Sequence, residues 1–352
     1  MILHIFNKQE KFSVYYIKFL KDCGFDMKRH VVFHYGKSSG KLLKEHKKVM
    51  FSSFVSPVKH IKLYKMMKKS DKIIIHSLAS PVLLLMLMFH MKVTEKFYWV
   101  IWGKDLYFTQ CMNMKNPLLK LYEGVRKKAL KNIKHIITNV EADYNLAVEW
   151  YKMDAELILA KGMSYPYNSD VNEEVEIVFK EKLNTVLLGN SASVSNHHLE
   201  ALDLLKANDN KKMTITCPLS YGGSEKYVEK VVKKGKELFG DRFIPVKDFM
   251  PLEEYNQMIN GLDIAFFYHD RQEAFSNTLT LLGSGKKIYI RPCSTLWDYF
   301  QSKGIKVHNS EVEDPNFFVS DDYSVLLENK NKVAQIRDPQ LSKECWMEVF
   351  EK

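Results

Sequence analysis

Three stretches hold residues whose types and spacing could do chemistry. In Trp102-Gly-Lys-Asp-Leu-Tyr107 a charged pair, Lys104-Asp105, follows an aromatic run that begins at Phe97. A carboxylate there could take the proton of an attacking hydroxyl, and aromatic faces suit the apolar side of a sugar ring. The same spacing fits a plainer part, with Trp99 and Trp102 in the core and Asp105 capping a helix. In the second stretch the apolar run Thr185-Val-Leu-Leu188 breaks at Gly189-Asn-Ser191. Ser193 and Ser195 then lead into Leu199, Leu202 and Leu205 at helical spacing. Ser195 is placed to cap that helix, and a strand, a small-residue loop and a helix start together seat anionic or sugar oxygens. In the third, Asp263-Ile-Ala-Phe-Phe-Tyr-His-Asp-Arg271 runs from a strand into a loop. Ser276 or Asn277 caps the helix containing Thr278, Leu279, Leu281 and Leu282. Such a helix start could hold a diphosphate through backbone amides without a metal, with Arg271 adding positive charge. Taken locally, an ordinary strand-to-helix turn explains either of the last two stretches as well.

These residues need elements to position them. Apolar runs predict strands at 2–6, 30–34, 72–76, 96–101 and 135–139. Helical patterns fall between: one through Tyr15, Phe19 and Leu20 that Gly24 closes, then 60–69, 80–91, and Pro117 to Ile133 with proline in its first turn. Around the apolar stripe of that last helix, Lys120, Arg126, Lys127, Lys128, Lys131 and Lys134 supply positive charge. The second half predicts strands at 185–189, 213–217, 243–246, 263–268 and 287–291, with a weaker one at 305–308. Its helices are expected at 196–207, 224–239, 252–260, 276–283 and 295–303. Alternation of this kind implies an α/β protein with two parallel sheets, each covered on both faces. Gly162–Asn172, rich in turn formers, reads as the linker between domains at 1–165 and 173–335. A C-terminal helix at 336–352 is expected to return to the first domain.

Composition narrows the classes. With 352 residues, 46% hydrophobic and 27% charged, the chain suits two globular domains. Five scattered cysteines without a C-x-x-C pair read as cytoplasmic thiols, and the N-terminus does not resemble a signal peptide. The longest apolar run, Val82 to Met91, is about half of the roughly 18 residues a spanning helix needs. Charge is lopsided: residues 1–160 carry 28 basic and 13 acidic side chains, the remainder 24 and 29. One half therefore suits an anionic partner, a membrane surface in preference to nucleic acid, since no recognition helix or aromatic RNA-binding motif is present. No G-x-G-x-x-G follows a first strand, and the lone Gly283-Ser-Gly285 suits a helix end. There is no P-loop, no H-E-x-x-H and no Asp-x-Asp pair, so neither a nicotinamide nor a tightly bound metal is expected. His197 and His198 read as polar residues of a first helical turn.

The segments FYWVIWGKDLY (97–107), LLGNSASVSNHHLEAL (187–202) and CPLSYGGSEKYVEKVVKKGKELFG (217–240) resemble glycosyltransferase family 56. The resemblance continues through Asp263–Leu282, Gly285–Trp297 and the surroundings of Trp346. It implies the GT-B architecture, two Rossmann-like doubly wound domains facing a cleft. The implied activity is transfer of 4-acetamido-4,6-dideoxygalactose from dTDP to an undecaprenyl-diphosphate-linked saccharide of enterobacterial common antigen or a related surface polysaccharide. The implied location is peripheral, at the cytoplasmic face of the bacterial inner membrane, with the basic half on anionic lipid. It further picks out Trp102, Gly103, Asp105 and Tyr107 on an acceptor side, to which their position adds His76 and Lys104, with Asp105 read as the base. On the donor side it picks out Gly189, Asn190, Ser191, Ser195, Asn196, His198, Tyr221, Arg271, Gln272 and Thr278, to which the strand-to-helix reading adds Tyr268, Ser276 and Asn277. No cofactor is expected. Where the family pattern leads us to expect a glycine-containing turn, this chain has Ala274-Phe-Ser-Asn277. Two alternatives stand beside this reading: a GT-B transferase using another nucleotide sugar, and a GT-B-type sugar-nucleotide epimerase.

Overall fold

The computed structural model describes residues 1–7, 10–53, 55–78, 80–89, 95–111, 115–160 and 176–351. They fall into two compact units, Met1–Asp170 with Ile336–Lys352, and Val171–Gln335. The expected linker at 162–172 lies outside the described residues.

In the first unit the chain runs β1 (Ile2–Asn7), α1 (Glu10–Asp22), β2 (His30–Tyr35), α2 (Lys41–Glu45), β3 (Val49–Ser52), α3 (Pro57–Lys69) and β4 (Lys72–His76). It continues through α4 (Pro81–Phe89), β5 (Phe97–Val100), α5 (Phe108–Cys111), α6 (Pro117–Leu130), β6 (His135–Thr138), α7 (Glu141–Tyr151) and β7 (Glu156–Leu159). The seven strands lie in the order β3-β2-β1-β4-β5-β6-β7, and every pairing is parallel. Burial explains the sequence pattern: all five residues of β4 are buried, as a strand covered on both faces requires. One face packs on Leu63 and Met67 of α3, Leu83, Leu84 and Leu87 of α4, and Ala129 and Leu130 of α6. The other packs on Tyr16, Ile17 and Leu20 of α1.

The second unit has β8 (Thr185–Leu188), α8 (His198–Ala207), β9 (Thr214–Pro218), α9 (Glu225–Phe239), β10 (Phe243–Val246), α10 (Leu252–Asn260) and β11 (Ile264–Phe267). Then come α11 (Phe275–Gly283), β12 (Lys287–Ile290), α12 (Thr295–Ser302), β13 (His308–Asn309) and α13 (Tyr323–Ile336). Its six parallel strands are ordered β10-β9-β8-β11-β12-β13. The last helix, α14 (Pro339–Glu351), buries Trp346, Val349 and Phe350 in the α1 face of the first sheet. Both sheets are doubly wound, and the direction in which successive strands are added reverses between β1 and β4 in one and between β8 and β11 in the other. In such sheets ligands bind outside the carboxyl ends of the strands at that reversal.

Several local expectations need correction. Arg126 does not line the surface of its helix; it is fully buried in the first unit's core. Helix α8 begins at His198, and its N-cap is His197 at φ 45°, so Ser195 does not cap it. Likewise α11 is preceded by Ala274 at φ 58°, which leaves Ser276 and Asn277 inside the first turn and not at the cap. The strand expected at 305–308 is the two-residue β13. Strands β3 and β7 and helices α2, α5, α7 and α13 lie where no element was expected.

Candidate functional site

In the first unit the loops after β4 and β5 are tied together from below. Asp105 accepts from Trp99 Nε1 at 2.7 Å and Leu78 N at 3.1 Å through Oδ2, and from Trp102 N at 3.0 Å through Oδ1. Burial pushes its pKa up while these three donors and Arg126 pull it down. Arg126 donates to Leu78 O at 2.9 Å, to Asp105 O and to Tyr151 Oη at 3.2 Å, and pairs with Glu123 at 3.0 Å. With its carboxylate enclosed and engaged by three donors, Asp105 shapes the loop, and burial leaves its pKa raised overall. Gly103, at φ 89°, makes the turn that lets Trp102 N reach Asp105.

Tyr107 is also interior, donating to Asp143 at 2.8 Å. His76 is fully buried, stacked on Phe6 with 4.0 Å between centroids, and 3.2 Å from His4 Nδ1. His4 Nε2 lies in turn 2.9 Å from His30 Nδ1, so three histidines from β4, β1 and β2 form one chain through the sheet. Burial holds all three below the usual histidine range, His30 at about 4, so they are neutral. Of the six residues expected on the acceptor side, Lys104 is exposed and Trp102 half-buried, the latter edge-on to Phe12 at 5.0 Å; the others support them.

In the second unit the donor-side residues gather at the β8/β11 reversal. Gly189, at φ 66°, could carry no side chain: a Cβ there would stand 2.4 Å from Asn196 Oδ1. That oxygen accepts from Asn190 N at 3.0 Å and is 2.9 Å from His269 Nε2, joining the loop after β8 to the loop after β11. Opposite, Ala192 N donates to Tyr221 O at 2.7 Å, and Gly223 lies so near Ala192 that a Cβ would come within 2.1 Å of its carbonyl oxygen. The Ser220–Gly223 turn after β9 thus braces the loop through its backbone, leaving the Tyr221 ring half exposed.

Arg271 donates through Nη2 to Ser195 Oγ at 3.1 Å and to Glu273 Oε1 at 2.5 Å, while Ser195 Oγ donates to Glu273 Oε2 at 2.6 Å. Three buried polar atoms of this cluster have no partner: Asn190 Oδ1, His198 Nε2 and Arg271 Nε. Burial lowers the pKa of His198 to about 4, so its ring is neutral, with Nδ1 3.2 Å from Tyr227 Oη. No side chain caps α8 or α11, both of which start at this rim. The rest are supporting: Thr278 Oγ1 donates to Ala274 O at 2.9 Å, and Asn277 Nδ2 to Tyr255 Oη at 2.9 Å. Tyr268 lies under Arg291, whose guanidinium is 4.4 Å from its ring centre. Ser191, Gln272 and Ser276 line the loops as buried or half-buried polar residues. Sequence reasoning missed Glu273 and His269. Their signal was present, a carboxylate two residues beyond Arg271 and a histidine two before it. Among the described residues no group of three His, Cys, Asp or Glu is arranged to hold a metal ion.

Two parallel, doubly wound sheets with polar loops at the reversal points are the GT-B architecture. Solved structures bear the fold out. A glycosyltransferase from Rickettsia africae covers 99% of this chain and 97% of its own at 14% identity, with a TM-score of 0.66. HepE of Anabaena, in complex with UDP and glucose, covers 100% and 99% at 12% identity, with a TM-score of 0.68. The UDP-forming α,α-trehalose-phosphate synthase of Burkholderia vietnamiensis covers 99% of each chain at 7% identity, with a TM-score of 0.62. The profile of 4-alpha-L-fucosyltransferase glycosyl transferase group 56 matches residues 28–333, and the chain belongs to that family.

Proposed function

We propose that the enzyme transfers an amino-dideoxyhexose, 4-acetamido-4,6-dideoxygalactose, from dTDP to a saccharide carried on undecaprenyl diphosphate. The observation that carries the donor assignment is the unpartnered trio Asn190 Oδ1, His198 Nε2 and Arg271 Nε. Leaving buried polar groups unpaired costs about 1–3 kcal/mol each, which a bound polar ligand recovers. Arg271 and the uncapped starts of α8 and α11 suit the diphosphate, whose charge they offset without calling for a metal. Asn190 and Glu273 supply acceptors for sugar hydroxyls or the acetamido N–H. In the first unit, Lys104 and Trp102 suit the acceptor, Lys104 for its diphosphate and Trp102 for a sugar face. The basic character of that unit favours a peripheral seat on anionic lipid at the inner membrane. Among the described residues no helix is long and apolar enough to cross a membrane.

A UDP-sugar donor is the second reading, favoured by the similarity to HepE, which is solved with UDP and with UDP-glucose. A panel of dTDP-, UDP- and GDP-sugars incubated with a lipid-diphosphate saccharide decides between them. Transfer from the dTDP-sugar is expected. Turnover only with UDP-sugars would replace the donor assignment, and an epimerised nucleotide sugar formed without acceptor would replace the transferase reading.

A further inference from the structure

Helices α3 and α6 of the first unit begin alike. Each has proline at its first position, and each exposes its second and fifth residues: Val58 and Ile61 in α3, Leu118 and Leu121 in α6. With Val55 just before α3, these are the five most exposed large apolar side chains described in the unit, at 57–85% exposure. Both helices send their opposite side into one core with α4, so they lie on the same face of the sheet. Both also start after the carboxyl end of a strand and finish before the amino end of another, which places the five residues at the rim that holds Trp102 and Lys104.

The exposed charge on these two helices has one sign. Lys59, Lys62, Lys65, Lys68 and Lys69 are exposed on α3, and Lys120, Lys127 and Lys128 on α6. The only acid in either helix, Glu123, is buried against Arg126. Protruding aliphatic side chains on two helices whose exposed charges are all lysines match an anionic bilayer, where the aliphatics enter the acyl boundary and the lysines meet headgroups. An acidic protein would match the lysines but would not call for apolar residues projecting at the helix tips.

We propose that the first turns of α3 and α6 are a membrane-insertion surface, through which Val55, Val58, Ile61, Leu118 and Leu121 penetrate an anionic lipid monolayer. This deepens the reading of the first unit as the one that meets a lipid-linked acceptor, and it concerns insertion, not merely attraction. Two findings test it, made with the full-length protein and vesicles of phosphatidylglycerol and phosphatidylethanolamine. Leu121→Trp is expected to blue-shift in emission on adding vesicles, because the ring leaves water. Leu118→Asp with Leu121→Asp, at positions exposed enough to leave folding intact, is expected to weaken vesicle binding at least about tenfold while circular dichroism is unchanged. No emission shift, together with full binding by the double aspartate variant, would overturn the proposal. So would a dimer of the unaltered protein that this variant splits, since the face would then join two copies. Transfer to a short, water-soluble acceptor separates the two readings. Unchanged there and reduced on vesicles, it supports insertion; absent in the unaltered protein, it removes the transferase assignment and leaves the vesicle result standing.

Discussion

At Asp105 three N–H groups converge on two oxygens, so an amide in its place would turn one acceptor into a donor facing a donor. Asp105→Asn is therefore expected to lose about 1–3 kcal/mol of stability, seen as a lower urea midpoint. A variant of full stability whose turnover falls a thousandfold would instead return Asp105 to the role of base. Arg271 makes the opposite case. Its Nη2 is held by Ser195 and Glu273 while its Nε is buried without a partner, and lysine cannot reproduce both. Arg271→Lys is expected to raise the KM for the nucleotide sugar by roughly tenfold or more, with a smaller change in kcat. Equal KM in steady-state kinetics would remove Arg271 from the donor site. The loop at the β8/β11 reversal was legible in Gly189-Asn-Ser and Arg271 because glycine and arginine declare their geometry and charge. The chain His76–His4–His30 was not, since its members lie 72 and 26 residues apart and meet only through sheet order.

At the scale of elements, the central strands and most helices could be read from apolar runs and helical spacing. The edge strands of the first sheet could not: β7 buries only Ile158 and exposes both its ends, and β3 buries only its last residue. Helix starts were misread for a different reason. His197 and Ala274 turn the chain in the left-handed region, where local propensity would place glycine or asparagine, so serines nearby looked like caps. The strain is testable at Ala274, the turn where the family pattern suggests glycine. Ala274→Gly removes a left-handed Cβ at the entry to α11 and is expected to raise stability by up to about 1 kcal/mol. At Gly189 the reverse holds. Alanine there meets Asn196 Oδ1 at 2.4 Å, so Gly189→Ala is expected to destabilise the second unit and abolish nucleotide-sugar binding by calorimetry. Tight binding by Gly189→Ala would show that the loop accommodates a side chain and that its glycine is dispensable.

Over the whole molecule, buried histidines link stability to acid. His4, His30 and His76 in the first unit, and His198 and His269 in the second, are all held below the ordinary histidine range by burial. His30 and His198 titrate at about 4 and His269 at about 3. An unfolded histidine takes its proton near pH 6.5, so these rings favour the fold fully above that value. As pH falls from 6.5 toward 4 the unfolded chain binds protons that the folded chain refuses, and stability is lost. His197 works the other way, since Asp270 at 3.0 Å raises its pKa, but it is one group against these five and His46, whose pKa burial also lowers. Between pH 6 and pH 5 the loss is roughly 1 kcal/mol for each buried histidine, spread over both units. Urea midpoints followed by tryptophan fluorescence should accordingly drop between pH 7.5 and pH 5, with Trp346 reporting on the histidine chain 6.1 Å from its ring. A midpoint that stayed flat to pH 5 would mean that the buried rings accept protons without cost, and that the sheet interior admits water where the packing of Phe6, Tyr16 and Trp346 excludes it.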